Sequence, residues 1–168
     1  MKKVIVIGCP GSGKTTFAEK LNKCTGLYLF YLDAIWHKPD RTHISREKFD
    51  ERLAKILATD EWIIDGNYQR TIEMRMKMCD TVFLFDLPSE ECLQGALERL
   101  GKKRCDIPWI DTTLDPKFKA EIEQFSKNSL PDIYNFIEKY KKDKQIVIFK
   151  SRNQADEFLN SLSDRSCD

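Results

Sequence analysis

Hydrophobic residues gather in five short runs along the chain, and within each run they follow one another instead of alternating with polar residues. Continuous apolar runs that are rich in Val, Ile and aromatic residues are typical of strands covered on both faces. The five predicted strands span residues 3–7, 27–32, 62–65, 81–87 and 145–149. The pattern therefore predicts a sheet that is buried between two other layers.

Amphipathic helices are predicted between these strands. In the segment 45–58, for example, Phe49, Leu53 and Ile56 recur at helical spacing. The predicted helices span residues 14–23, 45–58, 89–100, 115–140 and 153–162, with Pro131 as a break or kink in the fourth and a frayed tail over 163–168. Strands that alternate with helices form βαβ units, so we expect a single three-layer α/β/α domain over residues 1–168 with a mostly parallel sheet.

The charge balance argues against a protein that binds duplex nucleic acid directly. The 168 residues include 28 Lys and Arg against 27 Asp and Glu, and they show no long basic stripe. No apolar run approaches the roughly 20 residues of a membrane span, and the first is too short for a signal peptide. The six cysteines include no Cys-x-x-Cys pair that would indicate zinc. We expect a reduced, cytoplasmic monomer without membrane contact.

The clearest chemical signal is a phosphate-binding loop. Residues 8–15 read Gly-Cys-Pro-Gly-Ser-Gly-Lys-Thr, a complete G-x-x-x-x-G-K-[ST] motif between a predicted strand and a predicted helix. The glycines let backbone N–H groups curl around phosphate oxygens, Lys14 places a cation on the β- and γ-phosphates, and the helix N-terminus adds its dipole. A plain glycine turn would explain the glycines but not Lys14 and Thr15. The predicted ATP-binding residues in this motif and just after it are Gly11, Ser12, Gly13, Lys14, Thr15 and Thr16.

Two predicted strands end in an acidic residue. Asp65 follows the apolar run 62–64, and Asp33 follows the run that ends at Leu32. Ligands of open α/β sheets bind at the carboxyl ends of strands, so both carboxylates are expected in one crevice. Thr15 offers a hydroxyl and Asp65, through water, a carboxylate to Mg²⁺. The alternative is that each Asp only caps the segment that follows it.

Two further segments resemble adenylate kinase, of the nucleoside monophosphate kinase branch. Residues 65–71, Asp-Gly-Asn-Tyr-Gln-Arg-Thr, resemble its Asp-Gly-Phe-Pro-Arg-Thr with one extra residue before the Arg. Residues 85–90, Phe-Asp-Leu-Pro-Ser-Glu, resemble its Phe-Asp-Val-Pro-Asp-Glu. The second of that family's next two arginines falls on Arg99, whereas the first falls on Gly95. The resemblance implies a P-loop NTPase of the nucleoside monophosphate kinase type, with strand order 2-3-1-4-5, that uses ATP and Mg²⁺.

The chain resembles a smaller adenylate-kinase-like group, the DNA topology modulation proteins, almost from end to end. The resemblance is carried by residues 32–39, by Trp-Ile-Ile-Asp-Gly-Asn-Tyr at 62–68, by a short charged lid, and by a late strand that runs into Ser151 and Arg152. We place Arg152 with the ATP-binding residues. The group's name implies a role in DNA supercoiling, but no helix-turn-helix motif supplies a DNA-binding mechanism.

The catalytic prediction is an arginine cluster around the transferred phosphoryl group. Lys14 would be joined by Arg99, Arg104 and Arg70 when a lid over residues 101–114 closes. Each arginine could instead be solvated, because cations are favoured near helix C-termini in any case.

The acceptor is predicted to bind between the second strand, the segment 36–48 and residues 67–68, and the whole substrate-binding segment is predicted to span about 33–60. The predicted acceptor-binding residues are Asp33, Trp36, Asn67 and Tyr68. Trp36, Tyr68 and Trp109 could stack a base, although aromatic residues more often pack in a core or lid.

Two functions remain open at this point. One is a phosphotransferase that moves the ATP γ-phosphate to a nucleotide or a small hydroxyl compound. The other is a nucleotide-binding regulator of DNA topology without turnover. The presence of Arg99 and Arg104 beside the P-loop lysine favours the enzyme, because nucleotide binding alone does not need them.

Overall fold

The computed structural model describes residues 1–164, so Cys167 and the end of the predicted tail lie outside the described residues. Five strands form one sheet in which every pair of neighbours is parallel, in the order β2-β3-β1-β4-β5. The strands are β1 (Lys3–Gly8), β2 (Leu29–Tyr31), β3 (Trp62–Asp65), β4 (Thr81–Phe85) and β5 (Gln145–Phe149). The predicted α/β fold and its strand order are confirmed.

Helices cover both sides of the sheet. They are α1 (Lys14–Thr25), α2 (Leu32–Trp36), α3 (Arg46–Leu57), α4 (Gln69–Met78), α5 (Ser89–Glu98), α6 (Pro116–Asn128), α7 (Leu130–Tyr140) and α8 (Arg152–Asp164), with a 3₁₀ turn at Lys141–Asp143. The helix α1 packs against α8, and α7 packs against α4 and α6. None of the described helices is long and apolar enough to cross a membrane.

Local chemistry explains where several helices begin. The Ser45 side chain accepts a hydrogen bond from the Lys48 N–H at the start of α3, and Asp115 accepts from two N–H groups at the start of α6. The single helix predicted over 115–140 is two helices, because Pro131 lies in the first turn of a new helix that begins after Ser129.

The helices α2 and α4 were not predicted. The strand predicted over 27–32 is observed only as β2, Leu29–Tyr31, and at its end Leu32 already belongs to α2. The helix α4 buries Thr71 and Arg75 beside Ile72 and Met76. Half of its buried positions are therefore polar, which removes the apolar period that predicts a helix.

Aromatic packing fixes the sheet against α1 and α8. Phe17 of α1 contacts Phe83, Phe85 and Phe149 of the two neighbouring strands at ring-centroid distances of 4.9, 5.4 and 5.2 Å. Phe158 of α8 lies 5.0 Å from Phe83. This packing holds the carboxyl ends of β4 and β5 against α1, the helix that follows the glycine loop, on a rigid support.

Candidate active site

The loop between β1 and α1 has the geometry of an anion-binding loop. Gly11 and Gly13 have φ angles of 82° and 99°, a region that favours glycine. No side chain caps the N-terminus of α1, so its first N–H groups face the loop. A Cβ on Gly11 would overlap the Cys92 carbonyl of α5, whereas a Cβ on Gly13 would meet only the Arg152 side chain, at 3.8 Å. The loop therefore offers an open cradle of backbone donors to an anion.

Asn67 holds the first residue of this loop. Its Oδ1 accepts from the Gly8 N–H at 2.9 Å, and its Nδ2 donates to the Gly8 carbonyl at 2.7 Å. Asn67 was predicted to bind the acceptor, and it does line the cavity described below. Its amide is hydrogen-bonded at both ends and fixes the phosphate loop to the turn after β3, and the predicted contact with the acceptor stays a prediction.

Arg75 supports the site from outside the cavities, and the sequence analysis missed it. It is fully buried and donates to the carbonyls of Gly66, at 2.8 Å, of Asn67, and of Tyr68, at 3.4 Å. Tyr68 has a φ of 39°, which only supporting contacts make tolerable. Burial lowers the pKa of Arg75 to about 9, which leaves the guanidinium charged at neutral pH. Arg75 therefore fixes the turn that carries Asn67 and Tyr68.

Thr15 and Asp65 are in direct contact. The Thr15 hydroxyl donates to Asp65 Oδ2 at 2.6 Å, and Asp65 is 4% exposed. Burial raises the pKa of Asp65 to about 6, although Lys14 and the Thr15 hydrogen bond oppose the shift. Among the described residues, the buried Oδ1 of Asp65 has no hydrogen-bond partner.

These two groups fit Mg²⁺. The ion prefers oxygen ligands and keeps several waters, and a buried carboxylate oxygen without a partner is a suitable hydrogen-bond acceptor for such a water. Within the described part of the chain, no group of three or more His, Cys, Asp or Glu side chains could hold a metal ion. A bound Mg²⁺ would therefore take most of its ligands from water and from nucleotide phosphates.

Three neighbouring cavities lie beside the phosphate loop. The P-loop cavity, of about 400 Å³, is lined by Gly11, Gly13 and Thr16 among others. The acceptor-side cavity, of about 490 Å³, lies at the carboxyl ends of the strands and is lined by Asp33 and Tyr68. The residues that line both cavities are Lys14, Thr15, Arg99, Arg104 and Asp106. An outer cavity, of about 250 Å³, continues from the P-loop cavity towards Arg152.

The lid segment, residues 101–114, packs over the acceptor-side cavity. The Gly101 N–H donates to the Asp111 carbonyl at 2.7 Å, and the Trp109 indole N–H donates to the Asp111 carboxylate at 2.9 Å. Arg104 forms an ion pair with Asp106, which is 2% exposed. Burial, the largest single influence, lowers the pKa of Arg104, but the hydrogen bond to Asp106 and the negative charges of Asp106, Asp33 and Asp111 together outweigh it, so the net shift is upward. The predicted opening and closing of this segment stays a prediction.

Arg99 lines the cavity without a carboxylate in hydrogen-bond contact among the described residues. Its guanidinium lies 5.3 Å from the Phe118 ring centroid, in the arrangement of a cation–π contact. Burial, followed by the charge of Arg104, lowers the pKa of Arg99. Of the three predicted catalytic arginines, Arg99 is therefore the one most available to an incoming anion.

Arg70 and Trp36 do not reach the cavity wall. Both terminal nitrogens of the Arg70 guanidinium donate to the Asp50 carboxylate, at 2.8 and 2.6 Å, and the Arg70 side chain is 46% exposed. Trp36 stacks on His43 with ring centroids 4.4 Å apart and packs edge-on against Phe49. The catalytic role predicted for Arg70 and the acceptor contact predicted for Trp36 therefore find no support in this arrangement. His37, next to Trp36, lines the cavity instead.

Gly95 leaves no room for the arginine that the adenylate kinase resemblance expects there. A Cβ at this position would overlap the Gly11 carbonyl and the guanidinium of Arg152. Arg152 donates to the carbonyls of Gly11 and Glu91, each at 3.1 Å. Arg152 therefore occupies the space between α5 and the phosphate loop, and it lines the outer cavity beside that loop.

Changing Gly95 to alanine is expected to destabilise the protein by about 1–2 kcal/mol and to lower the Tm by roughly 3–6 °C. The new methyl group pushes the phosphate loop away from α5, and this strain exceeds the roughly 0.5–1 kcal/mol that alanine gains in a helix. Thermal unfolding followed by circular dichroism measures the change, with exposed Gln94→Ala as the matched control. A Tm equal to that of the control variant would mean that α5 can move without cost.

No protein-family model matches the chain, and no curated protein matches it. Among solved structures, the chain is similar to an unliganded sugar kinase from Janibacter sp. HTCC2649. The two chains are 18% identical, with a TM-score of 0.48 over 99% of this chain and 92% of that one.

Proposed function

We propose that the protein is an adenylate-kinase-like phosphotransferase that moves the γ-phosphate of ATP to a nucleotide or a small hydroxyl compound. One observation carries the proposal: Lys14, Arg99 and Arg104 line the junction between the P-loop cavity and the acceptor-side cavity. A phosphoryl group passing from one cavity to the other would meet all three cations. Phosphoryl transfer needs mainly such positioning and charge neutralisation.

The other residues take supporting roles in this proposal. The backbone N–H groups of residues 11–16 bind the ATP phosphates, and Arg152 lies beside the outer cavity, where the nucleoside would extend. Thr15 and Asp65 would hold Mg²⁺, which neutralises phosphate charge when it is bound. The lid segment covers the junction and keeps water away from the transferred group.

Calorimetric titration with MgATP, followed by a turnover assay with and without pooled acceptors, tests this proposal. We expect saturable binding and ATP turnover that rises when an acceptor is present. The alternative function, a regulator of DNA topology without turnover, predicts binding and no effect of any acceptor.

Changing Asp65 to asparagine is expected to reduce Mg²⁺-dependent turnover more than tenfold, because the amide lacks the charge that holds the metal's water. Nucleotide binding measured in excess EDTA should change less than twofold, since the backbone donors of the phosphate loop remain. The measured quantity is the fold-loss of Mg²⁺-dependent turnover divided by the fold-loss of nucleotide affinity. Turnover within about twofold of the unmodified protein, or roughly 0.4 kcal/mol of barrier, would leave Asp65 as a cap only.

A further inference from the structure

We infer that the acceptor is a small hydroxyl compound that carries no phosphate or carboxylate, and that Asp33 takes the proton from its attacking hydroxyl. The inference narrows the acceptor class of the proposed function and rests on it. An uncharged polyol, sugar or nucleoside meets the description, and so does one that bears an ammonium group.

The charges that line the acceptor-side cavity are the first observation that disfavours an anionic acceptor. Apart from the residues that it shares with the P-loop cavity, this cavity is lined by five carboxylates and by no Lys or Arg. The five are Asp33, Asp65, Asp111, Asp115 and Glu121. They come from β3, α2, the lid segment, the N-cap of α6 and α6 itself, so they surround the cavity from several sides. An acceptor phosphate would bring a negative charge into the middle of this group, where like charges repel.

The nearby cations already have a partner or a role in the proposed transfer step. Arg104 lies at the junction, where it is paired with Asp106 and faces the transferred phosphoryl group, and Arg70 is paired with Asp50 outside the cavity. Arg75 is buried beneath the turn at residues 66–68 and donates to its backbone carbonyls. Lys14 and Arg99 line the junction, where the ATP phosphates require them. Among the described residues of the cavity wall, no Lys or Arg is left for a second phosphate.

Asp33 is placed to act as a general base. It lies in the first turn of α2, directly after β2, and it lines the cavity. The Tyr68 hydroxyl donates to Asp33 Oδ1 at 2.9 Å, which orients the carboxylate. The other oxygen, Oδ2, has no hydrogen bond to another described residue. Burial, together with the charge of Asp33, raises the pKa of Tyr68 far above its usual range, so Tyr68 stays a donor.

A base is needed only for a hydroxyl acceptor. A phosphate acceptor is already ionised at neutral pH, whereas a hydroxyl must lose its proton as it attacks. In the proposed step the hydroxyl oxygen bonds to the γ-phosphorus, the bond from that phosphorus to the β–γ bridging oxygen breaks, and ADP leaves. The hydroxyl proton passes to Asp33 Oδ2, so atoms and charge balance.

Matched acceptors test the charge of the substrate. Calorimetry first shows that MgATP binds. Transfer of the phosphoryl group from ATP labelled with ³²P at the γ-position is then measured to two sets of matched acceptors. The first set is adenosine and AMP, and the second is glucose, glucose 6-phosphate, gluconate and glucosamine. We expect transfer to one or more uncharged or ammonium-bearing members, at least 50-fold faster than to the phosphate or carboxylate counterpart. Equal or faster transfer to an anionic member overturns the inference and leaves the proposed function standing. Transfer to none of them, with ATP bound, overturns the acceptor class. Absence of ATP binding overturns the proposed function itself.

The role of Asp33 is tested on the best acceptor of that panel. Asp33→Asn should lower kcat at least 100-fold and leave the Kd for MgATP within twofold, because Asp33 is not in the P-loop cavity. The exposed Asp60→Asn is the control for a carboxylate lost outside the site. A kcat within fivefold of the control, with the variant folded by circular dichroism, would mean that Asp33 does not take the proton.

Discussion

Replacing Lys14 with alanine is expected to weaken MgATP binding by at least 100-fold, or about 2.7 kcal/mol, and to abolish turnover. The reason is electrostatic: the loop's N–H groups remain, but the full positive charge beside the β- and γ-phosphates is lost. The fold should be unaffected, because Lys14 lines two cavities and is not part of the buried core.

Calorimetric titration of both proteins with MgATP measures the loss, and thermal unfolding without nucleotide verifies the fold. Lys23→Ala, in the exposed last turn of α1, is the matched control for a lysine removed from the same helix. Equal ATP affinity in Lys14→Ala and the control would contradict the assignment of residues 8–15 as a phosphate loop.

Replacing Arg75 with methionine is expected to cause the largest loss of stability, about 3 kcal/mol, and a fall in Tm of roughly 6–12 °C. Methionine fills much of the space, but it leaves buried carbonyls of residues 66–68 without their donor. The turn that carries Asn67 would then loosen, and Asn67 would hold Gly8 less firmly. We therefore expect weaker ATP binding as well, although Arg75 lines none of the three cavities described above.

Urea unfolding gives the change in the free energy of unfolding directly. Lys77→Met, two residues along α4 and exposed, controls for a cation replaced by methionine on the same helix. A loss below 1 kcal/mol for Arg75→Met would mean that water or a shifted backbone satisfies those carbonyls instead.

The sheet could be predicted because each strand is a local, continuous apolar run. The bounds predicted for the third and fifth strands, 62–65 and 145–149, are those observed. The helix α4 could not be predicted, because its buried face includes an arginine whose partners are backbone carbonyls. Nothing in the residue types around Arg75 shows that these carbonyls need a donor.

The candidate site also has one part that could be predicted from the sequence and one part that could not. The phosphate loop is contiguous in sequence, so its residues could be assigned from their order alone. The acceptor side is assembled from α2, the lid segment and α6, and its excess of carboxylates depends on how these elements fold together. The predicted role of Arg70 came from a resemblance of local sequence, and that of Asn67 from its place beside the expected acceptor site. Local sequence does not reveal that Asp50 pairs with Arg70 or that Gly8 engages Asn67.

The contact between Arg152 and the Gly11 carbonyl joins residues that are 141 positions apart. During synthesis on the ribosome, β1 and the phosphate loop emerge well before this guanidinium and the strand β5 that precedes it. Contacts between distant residues form late, since a long stretch of chain must be ordered first. A nascent chain that ends before residue 150 would therefore display the complete phosphate-loop sequence without the finished loop. The loop at residues 8–15 would therefore be completed only after residues 145–152 have been made.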